Sequence, residues 1–113
     1  MRYALLVCGD ENAVISPEES AERFAAFTAF AEQMAVRGVL RDMLRLQPTS
    51  AATTVQIRSG NLVIADGPFA ETKEQIAGLF VVECADLDDA IEVASNIPAA
   101  GYGTIEVRPV WES

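Results

Sequence analysis

The sequence predicts a single α+β domain with a ferredoxin-like, split βαβ arrangement and an extra β-hairpin. Two short runs of almost continuous apolar residues, 2–7 and 79–84, each precede a segment with helical periodicity. Segments of alternating polarity lie between and after them, separated by turn residues. The resulting order, β-α-β-hairpin-β-α-β, is that of the split βαβ unit. The 113 residues match the size of one domain.

The first half of the chain is predicted to contain a strand, a long helix and a second strand. Residues 2–7 form a strand that is apolar on both faces. Ser16 is the expected helix N-cap and Pro17 the first helical residue, and Gly38 ends the helix. Residues 39–46 form the second strand.

The second half is predicted to contain a hairpin, a strand, a short helix and a last strand. The strands are residues 53–58, 62–65, 79–84 and 104–107. Asp86 is the expected N-cap of the short helix, and Pro98 and Gly101 end it. The two doubly apolar strands are expected at the centre of the sheet and parallel to each other. The remaining strands either alternate between apolar and polar residues or carry charge. We expect them to be antiparallel and to lie outside the central pair.

Two helices on one face of a sheet leave the opposite face uncovered. Because the central strands carry apolar residues on both faces, that second face needs a cover. A second subunit packed sheet to sheet is the simplest cover. We therefore expect a homodimer, in the manner of a dimeric α/β barrel.

Charge and hydropathy exclude several classes of partner. Eight basic residues stand against 17 acidic ones, which gives a net charge of −9. Direct nucleic-acid binding and anionic membrane surfaces are disfavoured, since both need clustered Lys and Arg. No apolar run approaches the ~20 residues that cross a bilayer, and no export signal is evident. The expected location is the cytoplasm.

The chain contains no histidine. Ser-His and Cys-His catalytic pairs and His-based metal sites are therefore excluded. Cys8 and Cys84 lie in apolar, strand-like runs, and we expect both to be reduced thiols buried in the core. No metal and no cofactor is predicted. Any chemistry must come from carboxylates, Lys, Arg, Tyr, Thr or Cys.

Residues 66–74 read DGPFAETKE and precede Gly78 and an apolar strand. This segment resembles the signature of the DGPF family, the YCII-related proteins. The resemblance extends over residues 1–113, through YALLV at 3–7, SPEE at 16–19, LQP at 46–48, ATTV at 52–55 and EVRPV at 106–110. It implies one YCII-related domain and a dimeric α/β barrel.

The resemblance implies a biological context rather than a reaction. Members of the family are often encoded beside extracytoplasmic-function sigma factors, which implies a regulatory or stress context. A His-Asp pair has been proposed as catalytic for the wider YCII group. That mechanism does not carry over to this chain, because it has no histidine.

Three carboxylates are candidate catalytic groups. Asp42 shares strand parity with apolar residues, so either a bulge shifts the register or the side chain faces a polar pocket. Asp66 either accepts hydrogen bonds from its own turn or stands at a pocket rim; we favour the turn. Glu83 either lines the cleft between sheet and partner, where burial would suit acid-base work, or lies in water at the strand end.

Six residues are candidate ligand contacts. They are Tyr3, whose hydroxyl would reach the same cleft, the turn residues Asp66, Gly67 and Pro68, the aromatic Phe69, and Lys73. Phe69 is expected to pack into the core or onto the dimer partner. Lys73 would hold an anion, although a solvated side chain is the simpler interpretation.

Two functions follow from these residues. The first is a homodimer that binds an unknown small molecule. Such a homodimer could also be an enzyme that uses carboxylate or Tyr acid-base chemistry in a cleft between the sheet and the partner. The second is a noncatalytic accessory protein in transcriptional regulation or stress, for which the acidity would suit a basic protein partner. We prefer the first.

Overall fold

The computed structural model describes residues 1–112, which form six strands and two α-helices. The elements are β1 (Arg2–Gly9), α1 (Pro17–Arg37), β2 (Leu40–Arg45), β3 (Thr53–Arg58), β4 (Asn61–Asp66), β5 (Gln75–Glu83), α2 (Leu87–Ser95) and β6 (Thr104–Pro109), with short 3-10 helices at Thr49–Ala51 and Pro98–Gly101. The predicted α+β class is confirmed, and the order of the elements is compatible with a ferredoxin-like fold.

Four strands form one sheet in the order β2-β5-β1-β6, while β3 and β4 pair only with each other. The central strands are β1 and β5, as expected. They are antiparallel, however, so the predicted parallel pair is wrong. The reason lies in the connections. Helix α1 returns the chain, so β2 runs in the same direction as β1. Strand β5 lies antiparallel to β2, and therefore also to β1.

Both predicted helix starts are confirmed by their caps. The Ser16 hydroxyl accepts a hydrogen bond from the Glu19 N–H at 3.0 Å, and Asp86 accepts one from the Asp89 N–H at 2.9 Å. Gly38 ends α1 in the left-handed conformation, with φ at 75°. These caps fix where each helix begins relative to the sheet.

The core lies between the helices and one face of the four-stranded sheet. Its centre is Phe80 on β5, whose ring lies 5.1 Å from that of Phe30 and 5.3 Å from that of Phe27, both on α1. Buried residues around it are Tyr3, Leu5, Met34, Val82, Cys84, Ala90, Val93, Ala94 and Ile97. Cys84 is therefore in the core, whereas Cys8 is half-buried, and both are free thiols. Burial raises the pKa of each, so both are protonated at neutral pH.

A β-bulge in β2 explains the position of Asp42. The pairing of β2 with β5 shifts between Leu40 and Asp42. As a result Leu40 and Met43 pack against the core, while Asp42 is exposed and pairs in register with Val81. The structure therefore agrees with the first interpretation of Asp42, in which a bulge shifts the register of the strand. The carboxylate accepts a hydrogen bond from the Met43 N–H at 2.8 Å.

The sheet face that points away from the helices has no helix over it; we call it the open face. Register places Leu44, Leu79, Val81, Ala4 and Leu6 on it. Charged residues border this apolar centre, with Asp42 on β2, Glu83 at the end of β5, and Glu106 and Arg108 on β6.

The β3–β4 pair carries a second unpartnered apolar surface, the hairpin face. Val55 pairs with Ile64 and Ile57 with Leu62, so these four side chains share one face. Each is 60–67% exposed. Polar residues occupy most of the other face, where Gln56 lies opposite Val63. A two-stranded sheet is marginally stable in water by itself. We therefore expect this apolar surface to pack against another surface.

Candidate functional site

A cleft of about 770 Å³ lies between the first half of α1 and the end of the four-stranded sheet. Most of its apolar lining comes from three parts of the chain. The sheet supplies Val7, Ala77, Gly78 and Phe80, α1 supplies Pro17, Ala21, Phe24 and Phe27, and the segment after α2 supplies Ala99. Clefts of this size with a mainly apolar lining and a few polar groups are typical ligand sites.

Two arginines and a tyrosine are the principal donors of this cleft. The Arg23 guanidinium carbon lies 3.6 Å from the centre of the Tyr102 ring, and its Nη2 donates to Glu19 at 3.0 Å. Arg45, the last residue of β2, places its guanidinium 5.6 Å from the centre of the Phe24 ring. Each guanidinium thus lies over an aromatic ring.

The acidic side of the cleft belongs to the loop between β1 and α1. Asp10 accepts a hydrogen bond from the Asn12 N–H at 2.9 Å, which closes a local turn. Glu11 accepts from the Thr49 N–H at 3.0 Å and also from the Thr49 hydroxyl. These bonds fasten the loop to the segment that follows β2.

The three predicted carboxylates lie on separate strands, and none of them lines the cleft. Asp42 and Glu83 lie on the open face. Glu83 Oε2 is 2.8 Å from the Met1 ammonium group, and this contact raises the pKa of that amine. Asp66 is the last residue of β4 and is exposed. Within residues 1–112, no group donates a hydrogen bond to its carboxylate. The expected hydrogen bonds within its own turn are therefore not formed.

The remaining signature residues form an exposed connection between β4 and β5. Gly67 has a φ of 94°, a conformation that favours glycine. Its N–H donates to the Ala52 carbonyl at 2.8 Å, and its carbonyl accepts from the Thr54 hydroxyl at 2.7 Å. Pro68 is half-buried, and Lys73 is exposed.

Phe69 and Tyr3 have opposite environments. Phe69 is 82% exposed, so it does not pack into the core of its own chain. Tyr3 is a buried core residue, and its hydroxyl lies 3.8 Å from the Met1 sulfur. The expected packing of Phe69 into the core is therefore wrong, and its packing onto a dimer partner stays a prediction.

Sequence reasoning missed Arg23, Arg45 and Tyr102 as site residues. They come from α1, from β2 and from the segment after α2, so no local spacing links them. The direction of the Arg45 side chain was also difficult to predict, because the bulge in β2 changes which residues of the strand face the helices. The stacking of Arg23 on Tyr102 depends on tertiary structure alone.

Within residues 1–112, no three His, Cys, Asp or Glu side chains come together in a way that would hold a metal ion. Over the same residues, neither helix has both the length and the apolar character needed to span a bilayer.

Comparison with known proteins identifies the family. The model of the YCII-related domain matches residues 1–113. An uncharacterized protein of Rhizobium meliloti (strain 1021) is 38% identical over 114 residues, which cover 97% of this chain and 92% of the relative. Both matches span essentially the whole sequence, in agreement with the resemblance carried by residues 66–74. The chain belongs to the YCII-related family.

Proposed function

We propose that this protein is a homodimer that binds a small organic molecule in the cleft between α1 and the sheet. The observation that carries the proposal is the cleft itself, an apolar space of about 770 Å³ with a few oriented donors. Carboxylate or tyrosine acid-base chemistry is the catalysis that a chain without histidine offers. We propose ligand binding as the principal activity and acid-base catalysis as its extension.

Two apolar surfaces support the dimer. The open face and the hairpin face expose branched aliphatic side chains, and Phe69 adds an exposed aromatic ring nearby in sequence. Exposed apolar patches of this kind mark interaction sites. Their apolar centres carry no charged side chain, so contact there between two copies would bury no unpaired charge.

A second copy of the chain is the occupant that we propose for these surfaces. A two-fold interface buries the same patch on both subunits, so one sequence supplies both complementary surfaces. The dimeric barrel implied by the family resemblance is such an arrangement. Asp42 and Glu83 would then lie at the border of the interface, and the acid-base hypothesis for a cleft between sheet and partner would rest on them.

A thermal-shift screen against a broad metabolite panel tests ligand binding. A ligand present at a hundred times its Kd stabilises the protein by about 2.7 kcal/mol. In a domain of this size, each kcal/mol raises the unfolding midpoint by roughly 3–8 °C. We expect at least one panel compound to raise the midpoint of the wild-type protein by several degrees. We expect the same compound to raise the midpoint of Ala21→Trp much less, because the indole would occupy the part of the cleft beside α1.

Ala25→Trp is the matched control. Ala25 is exposed on the same helix but does not line the cleft, so this variant should keep the full shift. A compound that stabilises all three proteins equally would place the binding site elsewhere. If no compound shifts the wild-type protein and one stoichiometric, salt-sensitive partner is recovered from lysate, the accessory-protein function is favoured instead.

A further inference from the structure

The arginines of this chain differ in how their guanidinium groups are used. Of the seven, four form ion pairs with glutamates: Arg2 with Glu112, Arg23 with Glu19, Arg37 with Glu92, and Arg108 with Glu106. Two more, Arg41 and Arg58, donate to backbone carbonyls. Arg45 is the seventh, and within residues 1–112 its guanidinium makes neither an ion pair nor a hydrogen bond.

This uncommitted arginine lines the ligand cleft. Within residues 1–112, it is the one arginine whose guanidinium donates neither to a carboxylate nor to a backbone carbonyl. The ring of Phe24 lies 5.6 Å from the guanidinium carbon and holds it beside the apolar wall. Its planar fork of N–H donors matches the two oxygens of a carboxylate.

The other charged groups of the cleft are already engaged. Arg23 is bound to Glu19 and stacks on Tyr102. The carboxylates of Asp10 and Glu11 accept hydrogen bonds from their own loop and from Thr49. Arg45 is therefore the cationic donor that a ligand meets without displacing a protein partner.

We infer that the cleft takes an organic anion, with its carboxylate on Arg45 and its apolar body against Phe24 and Phe27. This inference rests on the proposed function, because it names the class of ligand for the same cleft. The aromatic rings on α1 and β5 favour a flat, unsaturated body. Among residues 1–112, Arg23 and Arg45 supply the only positive charges in the lining.

A pair of matched probes tests the charge requirement. We would titrate 15N-labelled protein with 2-naphthylacetate and with the neutral 2-naphthylacetamide, following the amide signals of Arg45, Gly78 and Tyr102. We expect the acid to shift these signals and to bind at least about tenfold more tightly than the amide, the scale of one charge-assisted contact. In Arg45→Gln this difference in affinity should disappear, so that the acid binds as weakly as the amide.

Arg58→Gln removes the same charge from an exposed arginine of β3 that does not line the cleft, and it should bind both probes like the wild-type protein. Equal binding of acid and amide to the wild-type cleft would overturn the anion inference and leave the binding function standing. Acid binding that Arg45→Gln does not weaken would also overturn it. If neither probe shifts the cleft signals, the inference is wrong, and the metabolite screen decides separately whether the cleft binds other molecules.

Discussion

The Ile64→Asp variant is expected to be a monomer of about 12.1 kDa at a concentration at which we expect the wild-type protein to be a dimer. Ile64 is 61% exposed within its own chain and lies opposite Val55 on the hairpin face. If a second copy covers this face, the substitution buries a carboxylate without a partner. Burial of an unpaired charge costs several kcal/mol, so the dimer Kd should rise by at least about 100-fold. Size-exclusion chromatography with light scattering measures the change.

Val63→Asp is the matched control for the face. Val63 is the preceding residue of β4, and its side chain lies on the opposite side of the hairpin, across from Gln56. This variant should remain a dimer. Dissociation by Val63→Asp together with a normal Ile64→Asp dimer would mean that the opposite face is covered. Two dimeric variants would show that the hairpin lies outside the interface.

The Gly78→Ala variant is expected to lose about 1–3 kcal/mol of the free energy of unfolding, the usual cost of overpacking a filled site. A Cβ atom at this position would lie only 2.5 Å from the Leu44 carbonyl oxygen of the neighbouring strand. The obstacle is backbone, so β2 and β5 must move apart. Urea unfolding at one fixed protein concentration measures the loss and keeps the contribution of dimerisation constant.

Gly9→Ala is the control for glycine replacement in a strand. Gly9 ends β1, and a Cβ atom there meets nothing within 4 Å. The free energy of unfolding should therefore change little, with a small gain from the lower entropy of the unfolded chain. Equal losses in the two variants would mean that the contact with Leu44 is not the cause.

The helices of this protein were predictable because their signals are local. Ser16, Pro17 and Glu19 lie within four residues of each other and specify the start of α1 without reference to the rest of the fold. Gly38 ends the helix for an equally local reason, its left-handed backbone. The apolar character of residues 2–7 and 79–84 also placed β1 and β5 correctly at the centre of the sheet.

Strand direction and side-chain direction were harder to predict. Continuous apolar character shows that a strand is buried on both faces, but it does not give the strand's direction. The antiparallel pairing of β1 with β5 depends on how the chain enters β5. The bulge at Asp42 likewise comes from pairing with β5, and it reverses the alternation on which the parity of β2 was based.

The cleft combines three parts of the chain that are distant in sequence. Arg45 reaches it from the end of β2, Phe24 from α1, and Tyr102 from the segment after α2. Each of these residues has an ordinary local role in its own element, so none was a candidate from the sequence. The conspicuous signature at residues 66–74 lies instead in an exposed connection, with Phe69 directed to solvent.

Sedimentation equilibrium of the wild-type protein at about 10 µM measures most directly whether a second copy covers the open face and the hairpin face. We expect a single species with about twice the chain mass of 12.1 kDa. A mass equal to that of one chain at this concentration would contradict the dimer and leave both apolar surfaces uncovered.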